Sequence, residues 1–122
     1  MAEIITPVQV ELRLKNLGVE LDESHEELVK AEKAYMDAKS MWEINSARAR
    51  MTIKQRALDR GVKVTVAEVE DEALLRCQEE LMALNTSEAM VKAARANNQR
   101  IRIHIDIARS IGTSVRTQMV IA

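Results

Sequence analysis

Small and apolar side chains recur at alternating steps of three and four residues through Leu14, Leu17, Leu21, Ser24, Leu28, Ala31, Tyr35, Ala38, Trp42, Asn45 and Ala49. That beat is a heptad seam, and a helix that carries it must bury one narrow stripe against another helix. A second run, Leu84, Ser87, Val91, Ala94, Asn98, Ile101, Ile105, Ala108 and Gly112, keeps the spacing beyond one evident break, Arg60-Gly61-Val62-Lys63-Val64-Thr65. The sequence therefore predicts an all-α protein, a long antiparallel two-helix hairpin (a coiled coil) that assembles into a four-helix bundle.

Punctuation residues set the expected boundaries of a single hairpin domain over 1–122. Thr6 reads as an N-cap, with Pro7 at the first helical position and Gln9 three residues after the cap to answer it. Helix is expected over about 7–60, closed by Gly61, with a turn over about 61–65. Thr65 and Glu68 form a second Thr-x-x-Glu box that opens a helix over about 66–111. Gly112-Thr113-Ser114 weakens helix formation, which leaves 112–122 as a tail ending in a last turn or a loose apolar segment.

A competing pattern is visible at both ends. Val8, Val10, Leu12 and Leu14 alternate with Gln9, Glu11 and Arg13, and Ile101, Ile103, Ile105 and Ile107 alternate with Arg102, His104 and Asp106. Period two marks a strand, so the termini could pair as a small sheet beside a shorter hairpin that starts at Ser24-x-x-Glu27. The heptad beat passes through both segments without a phase slip, which favours helix.

An antiparallel hairpin pairs positions whose numbers have a constant total. A total of 126 sets Trp42 opposite Leu84, Tyr35 opposite Val91, Leu28 opposite Asn98, Leu21 opposite Ile105, Leu14 opposite Gly112 and Ala49 opposite Cys77. A total of 125 sets Ala38 opposite Ser87, Ala31 opposite Ala94, Ser24 opposite Ile101 and Leu17 opposite Ala108. Seam meets seam throughout, and Trp42 is expected to be the most destabilising seam residue to truncate. Acidic Glu20 to Glu27 falls opposite the basic stretch Arg100 to His104, and basic Arg48 to Arg60 opposite acidic Glu68 to Glu72. Each exposed pair contributes only ~0–1 kcal/mol, so these charges choose register more than they stabilise.

The chain has no Phe, one Trp and one Tyr, so its core is aliphatic and small, which suits a helix seam better than a substrate cavity. Cys77, the single cysteine, sits at a seam position and reads as a reduced, buried small hydrophobe. The N-terminus lacks the pattern of a signal peptide, and no apolar run approaches the ~20 residues of a membrane span. The expected location is cytoplasmic, with no membrane partner.

A second apolar set does not fit between two helices. Met36, Met41, Ile44, Met51 and Leu58 on the first helix, with Val69, Leu75, Met82, Met90, Ile103 and Ile107 on the second, call for another surface. Of these, Met36, Met41, Ile44, Met51, Leu75, Met82, Met90, Ile103 and Ile107 are the candidate protein interface. A second copy of the chain is the expected partner, with a different protein as the alternative.

No cofactor, metal or catalytic residue is predicted. His25 and His104 fall within about a turn of each other in the hairpin register, but their spacing matches no zinc pattern. Glu68, Glu70, Asp71, Glu72, Glu79 and Glu80 read as a solvated helix face, and no phosphate loop or nucleophile elbow is present. An enzyme is therefore not expected. Nucleic acid is the competing partner: Lys92, Arg95, Arg100, Arg102, Arg109 and Arg116 face only Asp106 between Val91 and Ala122. A second basic cluster, Arg48, Arg50, Lys54, Arg56, Arg60 and Lys63, leads into the turn.

Glu20-Leu21-Asp22-Glu23, Ala47-Arg48-Ala49-Arg50-Met51 and Ile105-Asp106-Ile107-Ala108-Arg109-Ser110-Ile111-Gly112-Thr113-Ser114-Val115-Arg116 resemble phrases of small helical coiled-coil proteins encoded by actinobacterial phages. That resemblance implies a phage context, with the host cytoplasm as the location. Such proteins serve there as assembly factors, inhibitors of host proteins, or accessories to recombination and replication. The chain differs from secreted helical hairpins of similar length, because its turn has no Trp-x-Gly and Trp42 lies deep in the first helix. The reading is a non-enzymatic, homo-oligomeric interaction or assembly module. Its alternative is a nucleic-acid-binding accessory of recombination or replication that uses the basic C-terminal helix.

Overall fold

The computed structural model describes residues 4–121. Among the described residues the regular structure is helical and there is no strand: α1 (Pro7–Asp59), α2 (Val66–Arg76) and α3 (Gln78–Ile121). α1 and α3 pack against each other in an all-α hairpin.

Local chemistry places the boundaries. Thr6 donates its backbone N–H to Gln9 Oε1 (2.9 Å), and Gln9 N–H donates back to Thr6 Oγ1 (3.3 Å), a reciprocal capping box. α1 ends at a left-handed Gly61, φ 68°. There Gly61 N–H donates to the Leu58 carbonyl (3.1 Å) and Val62 N–H to the Ala57 carbonyl (2.9 Å). Those two bonds are the Schellman pattern, which only a residue tolerant of positive φ closes without strain. Thr65 Oγ1 then accepts from Glu68 N–H (3.1 Å) and opens α2.

Two features differ from the expected boundaries. The second helix is interrupted at Cys77, where φ is −106° and ψ 26°. The hydrogen-bond ladder nevertheless passes through it, from Cys77 N–H to the Ala73 carbonyl and from Leu81 N–H to the Cys77 carbonyl, both 3.0 Å. Gly112 does not end the helix, and α3 runs on to Ile121, so the tail expected over 112–122 is helical as far as it is described. Glycine costs about 1 kcal/mol within a helix. Here it is buried in the seam, and a Cβ at Gly112 would lie 2.9 Å from Val10 Cγ1. The close approach of the two helices requires the missing side chain.

Contacts divide the chain into two units, each with its own core. The first joins α1 as far as Lys30 to α3 from Lys92 onward. Its cluster is Leu17, Ile101 and Ala108, flanked by Leu14, Leu21 and Ile105. The second spans Ala31–Val91, and its cluster is Ile53, Val69 and Ala73 with Ala49 against it. Asn45 Nδ2 donates across the same unit to Glu80 Oε1 (3.3 Å). Every seam position named from the sequence is buried or half-buried, and Cys77 is buried with them.

Register differs in detail. Gly112 lies beneath Val10, a total of 122, where the sequence sets it opposite Leu14. Asn45 and Glu80, a pair the seam reading does not make, total 125, the value of the alternate layer. A knob inserts into a hole made by four residues of the facing helix. Totals one turn apart are therefore neighbours of the same hole.

The two strand-like segments are explained by two helical rows each. Val10 and Leu14 turn inward while Val8 and Leu12 are exposed, and Ile101 and Ile105 turn inward while Ile103 and Ile107 are exposed. Two further expectations are corrected. Val69, assigned to the outer stripe, is 2% exposed in the second core. Trp42 is only half-buried and lines an open cleft with Ser46, Arg50, Glu70, Asp71, Ala73 and Leu74. Leu17 is the most deeply buried large side chain, at 1%.

Leu17→Ala is expected to destabilise the protein by roughly 2–5 kcal/mol and by more than Trp42→Ala, as measured by urea unfolding followed by circular dichroism. Gly112→Val is expected to destabilise by about 1–3 kcal/mol through overpacking. Adding Val10→Ala to the same chain restores most of that loss in the same assay.

Candidate interaction surfaces

The helices sort the apolar residues of this chain into two populations. One fills the seam, and the other points away from it. All nine candidate interface residues are exposed, from 49% at Ile103 to 72% at Leu75. In the second unit, Met41, Ile44, Met51 and Leu58 follow one another by steps of three, seven and seven along α1, so they form a row on one side of that helix. Leu75 on α2 and Met82 on α3 are also seven apart, and Met90 follows on α3. Met36 stands off the row, around the helix from Met41. Ile103 and Ile107 make an i, i+4 pair on α3 in the first unit.

Other exposed apolar residues escape a reading centred on methionine. Val8, Leu12, Val19 and Val29 of α1 are all more than half exposed. The seven-residue step from Leu12 to Val19 is the signal that marks them. Where α1 begins, Ile4, Ile5, Ile111 and Val115 line a cleft of about 520 Å³ with Ser110, Ser114 and Gln118.

Polar groups in the seam are held unevenly. Ser46 Oγ and Ser87 Oγ donate to the Glu43 and Leu84 carbonyls of their own helices, at 3.2 and 2.9 Å. Asn98 is 7% exposed, and its Oδ1 accepts from Arg102 Nε at 2.8 Å. Asn98 Nδ2 and the 4%-exposed Ser24 Oγ are buried without a hydrogen-bond partner. A buried polar group left unpaired costs about 1–3 kcal/mol. Asn98 is therefore a cost to the seam, because its one bond, to Arg102, lies within α3 and does not depend on the register of the facing helix.

The basic candidates Lys92, Arg95, Arg100, Arg102, Arg109 and Arg116 are all exposed on α3. Arg100 Nη2 donates to Asn97 Oδ1 (2.9 Å) and Arg116 Nε to the Gly112 carbonyl (3.3 Å). Of the second basic cluster, Arg56 and Arg60 line a cleft of about 180 Å³ at the turn with Arg76, which Glu72 holds at 2.9 Å. The acidic face is solvated at Glu68, Glu70, Asp71, Glu72 and Glu79, whereas Glu80 is half-buried as the acceptor for Asn45. His25 is exposed and His104 half-buried. Among the described residues no group of three or more His, Cys, Asp or Glu side chains is placed to hold a metal ion. No described helix is long and apolar enough to cross a membrane.

No protein-family model, curated protein or solved structure matches the chain.

Asn98→Leu is expected to raise stability by about 1 kcal/mol in urea unfolding.

Proposed function

We propose that this protein is a non-enzymatic helical interaction module that assembles with copies of itself through its outward-facing apolar rows. The observation that carries the reading is the exposure of large aliphatic and methionine side chains at regular helical intervals. Met41, Ile44, Met51, Leu75 and Met82 are each at least half exposed. Single exposed apolar residues are ordinary, but contiguous rows of them are characteristic of interfaces. Methionine is flexible and polarisable, and it fills irregular contacts between helices well.

Surface area points the same way. A compact monomer of 13.8 kDa would expose roughly 6,600 Å² by the scaling of folded monomers. This chain exposes 9549 Å². The excess is larger than one subunit's share of an obligate homodimer interface, about 1,000–2,500 Å². A two-helix seam also buries one side of each helix only, so its core is marginal for independent stability. A second copy supplies the missing contact at no cost in new sequence, and four-helix packing is the simplest closed arrangement. The resemblance to small coiled-coil phage proteins supplies the setting for such a module.

Sedimentation equilibrium is expected to give a mass that is a multiple of 13.8 kDa. Met51→Glu combined with Met82→Glu should shift the population to smaller species by weakening association at least tenfold. A wild-type protein that stays monomeric near 100 μM, roughly the millimolar-to-micromolar limit of weak association, would exclude this reading.

A further inference from the structure

We propose that Met41, Met51 and Met82 of the second unit form a reversible oxidation site, at which a peroxide converts their thioethers to sulfoxides and releases copies of the protein from one another. The proposal rests on the self-assembly reading above and adds to it a means of control.

Methionine is among the residues most often found inside folded proteins. In this chain the rule is reversed. Every methionine among the described residues, Met36, Met41, Met51, Met82, Met90 and Met119, is more than half exposed, from 54% at Met41 to 70% at Met51. The first five lie in the second unit. Neither core contains one: the first is Leu17, Ile101 and Ala108, the second Ile53, Val69 and Ala73, all saturated hydrocarbon side chains that a peroxide leaves untouched. Cys77, the single thiol, is 4% exposed and shielded in the seam. Sulfur that an oxidant can reach is therefore confined to outward-facing side chains, while the cores that hold the helices together do not react.

Geometry does not demand methionine at these positions. Ile44 and Leu58 share a row with Met41 and Met51, and Leu75 stands one heptad from Met82, so branched aliphatic side chains suit the same face. What the thioether adds is reactivity. Its sulfur lone pair attacks one oxygen of the peroxide, the O–O bond breaks, an S–O bond forms, and the other oxygen leaves as water or an alcohol. Sulfur gives up two electrons and the peroxide takes them, so no further reactant is needed. The product is a polar sulfoxide on a side chain that the contact between copies must bury, and burying a polar group without a partner is unfavourable. Reductases return the sulfoxide to the thioether, so the change is reversible.

Accessibility and assembly are coupled. Side chains covered between copies meet the oxidant in the free chain, so oxidation traps the chain once it has dissociated. Met119 lies in the first unit, outside the rows named above, and serves as an internal reference.

The test treats the wild-type protein with hydrogen peroxide, locates sulfoxides by peptide mass spectrometry as additions of about 16 Da, and reads association by sedimentation equilibrium. Sulfoxide at Met41, Met51 and Met82 should weaken association about tenfold or more, and methionine sulfoxide reductases with a thiol reductant should restore it. Oxidation of these three should slow as protein concentration rises through the association range, while Met119 keeps its rate. With Met41→Leu, Met51→Leu and Met82→Leu combined in one chain, peroxide should leave association where it started, whatever its starting strength. Complete oxidation of the three methionines with association unchanged overturns the proposal. So does a leucine variant that peroxide dissociates as it does the wild type, a protein that stays apart after every sulfoxide is reduced, or oxidation at the three sites that follows Met119 at all concentrations. The mass before treatment tests self-assembly and the change on oxidation tests the site. An assembled protein indifferent to oxidation sinks this proposal alone, whereas a protein that is monomeric before treatment sinks both.

Discussion

Interlocking of small and aliphatic side chains along one helix seam is the constraint on which everything else in this structure depends. A chain without phenylalanine cannot fill a broad interior. It must bring two backbones close, and it does so where side chains are smallest: Gly112 beneath Val10, Ala108 against Leu17, and Ala73 against Ile53. Larger residues such as Leu14, Leu21 and Ile105 close the layers between. Because interiors are packed to crystal density, each such contact fixes the level of its neighbours. The register is thus distributed along the seam instead of resting on the turn.

Polar groups interrupt the seam, and one of them bridges it. Asn98 and Ser24 hold buried polar atoms without partners, and Asn45 reaches across to Glu80. An all-aliphatic seam would bury more apolar surface and discriminate less between registers. The ion pairs Lys30–Glu27 and Arg76–Glu72 run along single helices, where such pairs add a few tenths of a kcal/mol. The Asn45–Glu80 bond, which crosses between helices, bears on alignment more directly than these pairs.

Much of this is legible in the sequence. The heptad beat marked the buried face through Leu14 to Ala49 and Leu84 to Gly112, and Thr6, Gln9, Gly61 and Thr65 marked the helix ends. What escaped sequence reasoning has identifiable causes. A helix has 3.6 residues per turn and a heptad row 3.5, so the row drifts. Continuing the beat past Asn45 would bury Thr52, yet Ser46 and Ile53 are buried and Thr52 is exposed. Gly112 was read by its propensity, whereas packing decided its role. The burial of Val69 and the openness around Trp42 depend on which residues stand across the seam, which one helix's periodicity does not encode. For the candidate surfaces, the identity and exposure of the apolar residues were readable, as was the basic content of α3.

The proposed interface follows from the same geometry: once one stripe is buried, the apolar rows that remain face outward. The central claim is that the seam holds α1 and α3 antiparallel with Val10 over Gly112. Disulfide trapping tests it directly, using Val10→Cys and Gly112→Cys with Cys77→Ser. The 2.9 Å approach of Val10 Cγ1 to a Cβ at Gly112 puts the two Cβ atoms within about 4.5 Å, inside disulfide range. Oxidation should close the bond within one chain, seen as a faster-migrating monomer on a non-reducing gel. Thiols that stay free, or that link only between chains, would contradict the hairpin seam.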